Sequence, residues 1–335
     1  MSERSITFAQ AINEALIQGM TEDPNVYIMG EGVPDPKGIF GTTTGLRDKF
    51  GENRVLDMPV AENGMTGVAI GSAIMGMRPI LTHQRVDFAL LAMDQMVNQA
   101  AKWHYMFGGK HIVPLVIRLI VGRGWGQGPQ HSQSLQSWFA HIPGLKVVMP
   151  TTPQDAKGLL LASIRDDNPV IFLEHRWLHN ISDRVKSENY DTPLGKARIS
   201  REGEDLTIVS TSYMTLEALR VAEWLEKAGV STEVVDVRSL RPLDTETIVN
   251  SVEKTGKLLV TDTGWTNYGV TAEIMALVTE QAFSKLKCAP RRVALPDVPT
   301  PTSHAVAQYY YPRATDLYRV ACDLLEMTIN VLKRL

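Results

Sequence analysis

One carboxylate, Glu62, stands in an unusual setting for a charged side chain. An apolar stretch at residues 55–60 leads to it, and a run of small and apolar residues, 64–76, follows it. A carboxylate at the first turn of a helix is stabilised by the positive end of the helix dipole. A carboxyl group among apolar residues can equally donate or accept a proton in catalysis. The residues alone leave both interpretations open.

A glycine-rich loop, residues 122–134, contains the second candidate, His131. Its glycines occupy alternate positions (122, 124, 126 and 128), which excludes regular structure and lets the backbone approach a ligand or a partner closely. A histidine that ends such a loop is either a solvent-facing or capping residue, or a titratable group placed for catalysis.

A third segment, residues 88–107, is predicted to form one long helix that is apolar around most of its circumference and therefore buried. Phe88 is as well suited to a hydrophobic core as to a binding site. Asp94 lies among apolar residues, where a charge is costly unless it is hydrogen-bonded. Asn98 and Lys102 follow at intervals of four residues, so a ladder of contacts along one helix face would satisfy this carboxylate.

Strand-like and helix-like stretches alternate along both halves of the chain. This alternation predicts an α/β fold with two domains, each a mainly parallel sheet covered by helices. The pattern is lost over residues 181–204, which predicts a linker between a first domain at 1–180 and a second at 205–335. Neither a dinucleotide-binding GxGxxG after a first strand nor a P-loop motif occurs, so the sequence does not support those nucleotide-binding classes.

Composition narrows the classes of partner. The 335 residues carry a formal net charge of −3 and no basic block, so we expect no nucleic-acid partner. No apolar run is long enough to span a bilayer, and the first residues contain no secretory signal. Cys288 and Cys322 lack the spacing of a metal site. We therefore expect a reduced, cytoplasmic protein without a membrane partner.

Several short stretches, in this order along the chain, closely resemble one protein family. They are DMPVAE at 57–62, RVDF at 85–88, DQMVNQAAK at 94–102, HSQS at 131–134, PGLKVV at 143–148, RSLRPLD at 238–244 and GVTAEI at 269–274. The family comprises the β subunits of thiamine-diphosphate-dependent 2-oxo acid dehydrogenase E1 components, in the transketolase-like group. The resemblance implies a pyrimidine-binding domain followed by a transketolase C-terminal domain.

The resemblance also implies roles for the candidate residues. Glu62 matches the glutamate that hydrogen-bonds N1′ of the cofactor's aminopyrimidine ring and shares a proton with it. Phe88 matches the aromatic residue that stacks on that ring. His131 matches a histidine that stabilises charged intermediates and assists acyl transfer to a lipoyl group. Glu31 and Asp94 match acidic residues of a water channel that links paired active sites.

A monovalent-cation site, suited to potassium, is implied by the same resemblance. It would use backbone carbonyls, one carboxylate and one amide, from Leu115, Ser163, Ile164, Asp166 and Asn168. The same residues are equally compatible with an ordinary turn at the end of a helix.

One motif of the family is missing from this sequence. Proteins of this type bind the cofactor's diphosphate through Mg²⁺ held by a Gly-Asp-Gly motif, which does not occur here. Since Mg²⁺ requires oxygen ligands, the resemblance implies that a separate α subunit supplies them. The expected partners are this E1 α subunit and a second β subunit in an α₂β₂ heterotetramer, together with a lipoyl E2 acyltransferase.

The expected function is decarboxylation of a 2-oxo acid on thiamine diphosphate and transfer of the acyl group to a lipoyl group. A split transketolase-like or carboligating enzyme with a non-lipoyl acceptor is an alternative, and a non-catalytic scaffold subunit is another. The stretches GRGWGQG at 122–128 and PTSHAV at 301–306 depart from the pyruvate enzymes of the family. Pyruvate, a branched-chain 2-oxo acid and acetoin therefore all remain candidate substrates.

Overall fold

A computed structural model describes residues 4–122 and 126–327. The chain divides into two compact units, Met1–Gly124 with Gln130–Leu194, and Trp125–Pro129 with Gly195–Leu335. The boundary between Leu194 and Gly195 falls inside the predicted linker, residues 181–204. This segment contains two strands, which the sequence pattern did not indicate because most of their side chains are exposed or half-buried and so carry no apolar alternation.

The first unit alternates strands with helices. Its strands are β1 (Arg4–Thr7), β2 (Val26–Gly30), β3 (Val55–Leu56), β4 (Arg78–His83), β5 (Val116–Val121), β6 (Lys146–Val148), β7 (Val170–His175) and β8 (Ser182–Val185). Its α-helices are α1 (Phe8–Glu22), α2 (Leu46–Phe50), α3 (Glu62–Ile74), α4 (Val86–Ala89), α5 (Ala101–Met106), α6 (Gln136–His141) and α7 (Pro153–Arg165).

The main sheet of this unit contains β6, β7, β5, β4, β2 and β3 in that order, and every neighbouring pair among them is parallel. All residues of β2, β5 and β7 are buried, which explains their nearly continuous apolar sequences. Strands β1 and β8 form a separate antiparallel pair. All carboxyl ends of the parallel strands consequently lie along one edge of the main sheet.

The helical segment that contains Phe88 and Asp94 differs from the predicted single helix. Between α4 and α5 it forms a 3₁₀ turn at Leu90–Ala92 and a π-helical stretch at Gln95–Ala100. Small and apolar residues face the interior from this segment, namely Ala92, Met96 and Ala100. Asp94 lies on the other side and is exposed. The expectation that this carboxylate is buried was wrong, because the buried residues recur every three or four positions along one face and Asp94 lies on the opposite face.

The second unit has its own sheet and core. Its strands are β9 (Arg198–Arg201), β10 (Leu206–Ser210), β11 (Thr232–Asp236), β12 (Ser239–Arg241), β13 (Leu258–Trp265) and β14 (Arg291–Leu295). Its α-helices are α8 (Tyr213–Glu226), α9 (Thr245–Thr255), α10 (Val270–Ala282), α11 (His304–Tyr310) and α12 (Ala314–Leu324). The sequence pattern predicts a last helix over residues 315–335, but α12 ends at Leu324 and residues 325–327 are not helical. The rest of the predicted helix, residues 328–335, lies outside the described residues.

The sheet of the second unit has the order β14, β13, β10, β11 and β9, and only β9 runs antiparallel to its neighbour. Helices α8 and α12 pack on it, and Ile208, Val221, Leu317 and Tyr318 belong to their shared core. Both units thus confirm the predicted α/β fold with mainly parallel, helix-covered sheets. Within the described ranges, no helix is long and apolar enough to cross a membrane.

Candidate active site

The candidate site residues follow four neighbouring parallel strands, β3, β2, β4 and β5, of the first unit. Glu31 directly follows β2, and Glu62 follows β3 as the first residue of α3. Phe88 lies in α4, just after β4, and His131 lies in the loop that follows β5. Because these strands are parallel, their carboxyl ends deliver the four side chains to the same edge of the sheet.

The topology marks one point of this edge as a crevice. From β2 the chain moves to β3 on one side and then to β4 on the other. Ligands of open α/β sheets bind outside the carboxyl ends of strands at such a reversal of direction. Glu31 lies at the end of β2, and the side chain of Gln84, after β4, donates to its backbone carbonyl over 3.0 Å. The strand order therefore makes the edge between β2 and β4 the expected position of a ligand.

Glu62 is buried, with only 5% of its surface exposed. The Thr66 hydroxyl donates to the Glu62 backbone carbonyl over 2.7 Å, which anchors the first turn of α3. Among the described residues, none donates a hydrogen bond to the Glu62 carboxylate. A helix N-terminus stabilises such a charge, so the structural role predicted from the sequence is compatible with this position. The carboxylate oxygens of Glu62 are not among the fully buried unpaired atoms of the described residues, so they reach the surface of the chain and are available to a ligand.

Two further carboxylates lie near Glu62. Asp57 accepts hydrogen bonds from the backbone N–H groups of Gly32 and Met58, over 2.9 and 3.0 Å. Burial, and then the negative charges of Glu62 and Asp57, raise the pKa of Glu31 above its ordinary value. The negative charge of Glu62 therefore acts on the Glu31 carboxyl, as an acidic channel beginning at the site would require.

Phe88 and His131 contact each other directly. Their ring centroids are 5.3 Å apart, and the ring planes meet at 84°, an edge-to-face arrangement. Both side chains are half-buried. An aromatic ring in this position can support a flat heterocycle, while the imidazole can donate or accept a proton beside it. The structure thus brings together the two candidate residues from different loops.

Asp94 is held by the i,i+4 contact that the sequence predicted, because the Asn98 amide donates to its carboxylate over 2.7 Å. Lys102 does not extend this ladder, since its ammonium group donates to the Pro143 carbonyl over 2.8 Å. The recorded contacts of the described residues do not join Asp94 to Glu31 or Glu62. Its assignment to an acidic channel stays a prediction.

The five residues of the implied cation site lie around the end of α7 and the start of β7. The Arg78 guanidinium donates to the carbonyls of Ile164 and Asp166, over 3.2 and 3.1 Å. The Asp166 carboxylate forms an ion pair with Lys146 and accepts both amide groups of Asn168, over 2.9 and 3.0 Å.

The other two carbonyls of this set also have donors. The Leu115 carbonyl accepts the Val170 N–H over 2.9 Å, and the Ser163 carbonyl accepts the Asp166 N–H over 3.3 Å. Each carbonyl oxygen has a second lone pair that a weakly charged cation could use, but Arg78 and Lys146 already bring positive charge to this set of ligands and oppose a further cation. The turn is also complete without one.

Three polar residues that sequence reasoning did not select surround the Phe88–His131 contact. The buried Arg85 guanidinium donates to the Gly122 carbonyl over 2.7 Å. The Gln133 amide donates to the Asp87 carboxylate over 2.8 Å. Each of these residues lies within three positions of Phe88 or His131, so their place in the RVDF and HSQS stretches was the available signal.

Comparisons with known proteins match both units. Residues 4–180 match the family model "Transketolase, pyrimidine binding domain", and residues 195–317 match "Transketolase, C-terminal domain". A solved structure described as "Split gene transketolase, inactive beta4 tetramer" superimposes with a TM-score of 0.79 at 22% identity, over 96% of this chain and 99% of that one. At this identity the similarity concerns the fold.

Curated relatives are closer in sequence. The β subunit of the acetoin:2,6-dichlorophenolindophenol oxidoreductase of Cupriavidus necator is 44% identical over 95% of this chain and 97% of its own length. Subunit beta-2 of the mitochondrial pyruvate dehydrogenase E1 component of Oryza sativa subsp. japonica is 42% identical over 95% of this chain and 86% of its own. The corresponding β subunit of Saccharomyces cerevisiae is 40% identical, covering 97% and 90% respectively.

These matches extend over both units and include the strands and loops that carry Glu62, Phe88 and His131. The chain belongs to the transketolase-like family of β subunits of thiamine-diphosphate-dependent 2-oxo acid dehydrogenase E1 components.

Proposed function

We propose that this chain is the β subunit of a heteromeric E1 enzyme. The enzyme decarboxylates a 2-oxo acid with thiamine diphosphate and transfers the acyl group to the lipoyl group of an E2 acyltransferase. The observation that carries the proposal is Glu62, a residue with only 5% of its surface exposed whose carboxylate accepts no hydrogen bond from a described residue. It lies at the sheet edge that also carries the Phe88–His131 pair.

The residues of this edge fit the pyrimidine half of thiamine diphosphate. A buried carboxylate that lacks a donor is complementary to a ring nitrogen that can carry a proton. An aromatic side chain beside it offers a stacking surface for a flat heterocycle. When bound, thiamine diphosphate supplies a carbon centre that accepts the electron pair released when carbon dioxide leaves the substrate.

Each residue then has one task. Glu62 holds and exchanges a proton at N1′ of the aminopyrimidine ring, for which it must be shielded from water. Phe88 orients that ring by packing against it without competing for its hydrogen bonds. His131 donates a proton to, or accepts one from, the reacting carbonyl oxygen and the incoming lipoyl sulfur. The edge contact with Phe88 keeps the imidazole next to the ring.

We propose that an α subunit completes the site and supplies the ligands for Mg²⁺ and the diphosphate, because this sequence contains no Gly-Asp-Gly motif. Apolar side chains on and near α3 support a subunit contact there. Val60, Val68 and Leu91 are 81%, 55% and 65% exposed in the single chain. Exposed apolar surface of this kind commonly marks a protein interface. An α₂β₂ assembly with a second β subunit would cover it.

Several finer assignments are also proposals. Glu31 and Asp94 would line the acidic channel between two active sites, and the turn at the end of α7 would bind potassium. The raised pKa of Glu31, caused first by burial and then by Glu62, supports a proton-carrying role for the first of these residues. Location in the cytoplasm remains a prediction.

The relatives do not distinguish between the candidate substrates, because an acetoin enzyme and a pyruvate enzyme are almost equally similar to this chain, at 44% and 42% identity. A transketolase-like acceptor reaction has no specific support, since that similarity concerns the fold alone. A purely structural subunit would not need a buried carboxylate at the crevice. We therefore retain the 2-oxo acid dehydrogenase reaction, with acetoin as the second substrate to be tested.

The test is reconstitution of this chain with an α subunit that carries the Gly-Asp-Gly motif. Pyruvate, a branched-chain 2-oxo acid and acetoin are supplied in turn, with a lipoyl E2 and its dehydrogenase. We expect NADH formation that requires both subunits, thiamine diphosphate and the lipoyl group. Turnover with sugar phosphates but without the lipoyl group would favour the carboligating alternative. An α subunit that is fully active alone would favour the scaffold.

A further inference from the structure

The turn between β4 and Phe88 carries two polar side chains that the proposed chemistry does not use, Arg85 and Asp87. Arg85 is buried, and its Cζ lies 5.7 Å from the centre of the Phe40 ring. The Oδ2 atom of Asp87 is buried and makes no hydrogen bond to a described residue. Burial raises the pKa of Asp87, although amide groups of Gln133 and the charge of Arg85 oppose this effect. Burying charged side chains such as these costs free energy, so we expect an interaction that their burial serves.

Both side chains hold the two ends of the loop that contains His131. We call these two ends, Gly122 and Gln133, the neck of the loop. The Gly122 N–H donates to the Gln133 carbonyl over 3.1 Å, which closes the neck. Arg85 donates to the Gly122 carbonyl over 2.7 Å, and Gln133 donates through its side chain to Asp87 over 2.8 Å. Arg85 and Asp87 therefore form one hydrogen bond to each of the two residues of the neck.

The backbone of the neck is closely fitted to its surroundings. Gly122 has a φ of +79°, and a Cβ atom placed on it would lie 2.5 Å from Nε2 of the buried His175. Only glycine satisfies both constraints. The position of the neck is thus set by packing on one side and by the Arg85–Asp87 turn on the other.

These two hydrogen bonds lie close in sequence to both rings of the Phe88–His131 contact. Phe88 is the residue after Asp87, and His131 lies two residues before Gln133. Only a few backbone bonds separate each ring from the hydrogen bond between Asp87 and Gln133. A movement of the neck relative to the turn must therefore change the distance between the two rings. Edge-to-face ring pairs depend on that distance.

We propose that Asp87 is a positioning residue, which holds the His131 imidazole against Phe88 by accepting the hydrogen bonds of Gln133. The catalytic meaning of this placement rests on the proposed function. The placement itself is a property of this chain and can be measured without substrate or α subunit.

The first experiment measures the ring contact by NMR in the isolated full-length chain, labelled at histidine ¹³Cε1. The chain has eight histidines, and His131→Gln identifies the resonance of interest by its disappearance. The Phe88 ring current shifts this resonance, so Phe88→Leu defines the position without the contact. We expect Asp87→Ala to move the resonance towards the Phe88→Leu position. Asp87→Asn retains an acceptor oxygen and should leave the resonance near its wild-type position.

Swapping the carboxylate and the amide between positions 87 and 133 distinguishes a positioning role of Asp87 from a general loss of stability. Gln133→Glu places two carboxylates against each other and should displace the resonance. The double variant Asp87→Asn with Gln133→Glu restores a donor and an acceptor with reversed roles, so it should return the resonance. Gln18→Ala is the matched control, because it removes the hydrogen bonds that the Gln18 amide on α1 donates to Glu14 and to the Ser187 carbonyl, away from the neck. An unchanged resonance in Asp87→Ala or Gln133→Glu, or a failure of the exchange, would overturn the proposal.

The second experiment uses the reconstituted enzyme. We expect Asp87→Ala to lower the acyl-transfer turnover about tenfold to a hundredfold with little change in KM, since misplacement of a catalytic group acts on the chemical step. The exchanged pair should recover most of this loss. If the wild-type enzyme shows no such turnover while the NMR results hold, the proposed function fails and the positioning role stands. If the wild-type enzyme shows the expected turnover but the His131 resonance is unchanged in Asp87→Ala, the proposed function stands and the positioning role of Asp87 is refuted.

Discussion

The Phe88 ring meets the His131 ring edge-on, with 5.3 Å between their centroids, although 42 residues separate them in sequence (131 minus 88, less one). One ring follows β4 and the other follows β5, which are adjacent parallel strands. The contact therefore results from strand order and from the loops that leave the sheet edge. It joins a residue suited to binding a heterocycle with a residue suited to moving a proton.

Replacing Phe88 by leucine tests its role as a stacking surface. Leucine retains most of the apolar volume but removes the aromatic ring, whose specific interactions contribute about 0.5–1.5 kcal/mol. We expect the dissociation constant of thiamine diphosphate from the reconstituted enzyme to rise about twofold to twelvefold. Fluorescence titration with the cofactor measures it. Phe283→Leu, at an exposed aromatic of the second unit, is the control, and equal constants for both variants would contradict the assignment.

The carboxylate cluster predicts a pH-dependent stability. The pKa of Glu31 is raised from its ordinary value of 4.5, first by burial and then by Glu62 and Asp57. The folded state therefore retains the proton to higher pH than the unfolded state does. The stabilisation is complete below pH 4.5 and is lost as the pH rises through the folded-state pKa.

Urea unfolding of wild type and Glu31→Gln measures this effect. The variant should become the more stable of the two as the pH rises from about 4 to about 7. Glu52→Gln, at an exposed carboxylate, should show no such crossing. A constant difference across the range would mean that the Glu31 carboxyl does not experience the neighbouring charges.

A buried ion pair in the main sheet should contribute strongly to folding. Arg118 and Glu174 lie on the adjacent strands β5 and β7, are fully buried, and are joined by a hydrogen bond of 2.7 Å. Burial alone would raise the pKa of Glu174, but the charges of Arg118 and His179 outweigh it and lower the pKa to about 2. Glu174→Gln leaves the buried guanidinium without a counter-charge and should cost about 3–5 kcal/mol at neutral pH.

The acid dependence checks the cause of that loss. Because the folded-state pKa is depressed, the wild-type stabilisation is present above pH 4.5 and falls away as the pH drops towards about 2. Chemical unfolding should show the difference between wild type and Glu174→Gln shrinking over this range. A difference independent of pH would point to packing as its source.

Gly144 tests how closely the turn before β6 approaches the helical segment that contains Ala101. It has a φ of +100°, and a Cβ atom there would lie 1.9 Å from the Ala101 carbonyl oxygen. Gly51 also has a positive φ, +78°, but no atom lies within 4 Å of its Cβ position. Both alanine variants carry backbone strain, so the excess loss in Gly144→Ala reports the clash. We expect this excess loss of unfolding free energy, measured by thermal unfolding, to be about 1–3 kcal/mol or more. Equal losses in the two variants would show that the helical segment moves to accommodate the added methyl group.

Much of the architecture could be predicted from the sequence because it depends on local patterns. Apolar runs such as those of β2 and β7, separated by amphipathic helices, indicate a covered parallel sheet without further information. Glu62 was recognisable because a charge between an apolar strand and a small-residue helix is unusual. The similarity of the RVDF and HSQS stretches to one family then connected Phe88 and His131.

The remaining features depend on contacts between distant segments. Apolar residues occur on more than one face of the segment that contains Asp94, so the sequence pattern did not show that only the face with Ala92, Met96 and Ala100 is buried and that Asp94 is exposed. The hydrogen bond between Asp87, in α4, and Gln133, in the loop after β5, joins residues with 45 others between them in sequence (133 minus 87, less one), so no local sequence pattern predicts it. Burial of Arg118 would be improbable from its type alone, and only its partner on the neighbouring strand makes it acceptable.

The central claim is that the Glu62 carboxyl exchanges a proton with the cofactor's aminopyrimidine ring. Hydrogen–deuterium exchange at C2 of thiamine diphosphate, measured by NMR in the enzyme reconstituted with its α subunit, tests it directly in Glu62→Gln, with Glu52→Gln as the control. We predict that the Glu62 variant assembles and binds the cofactor but that its C2 exchange slows at least about a hundredfold. Exchange at the wild-type rate, with the cofactor bound, would contradict the account.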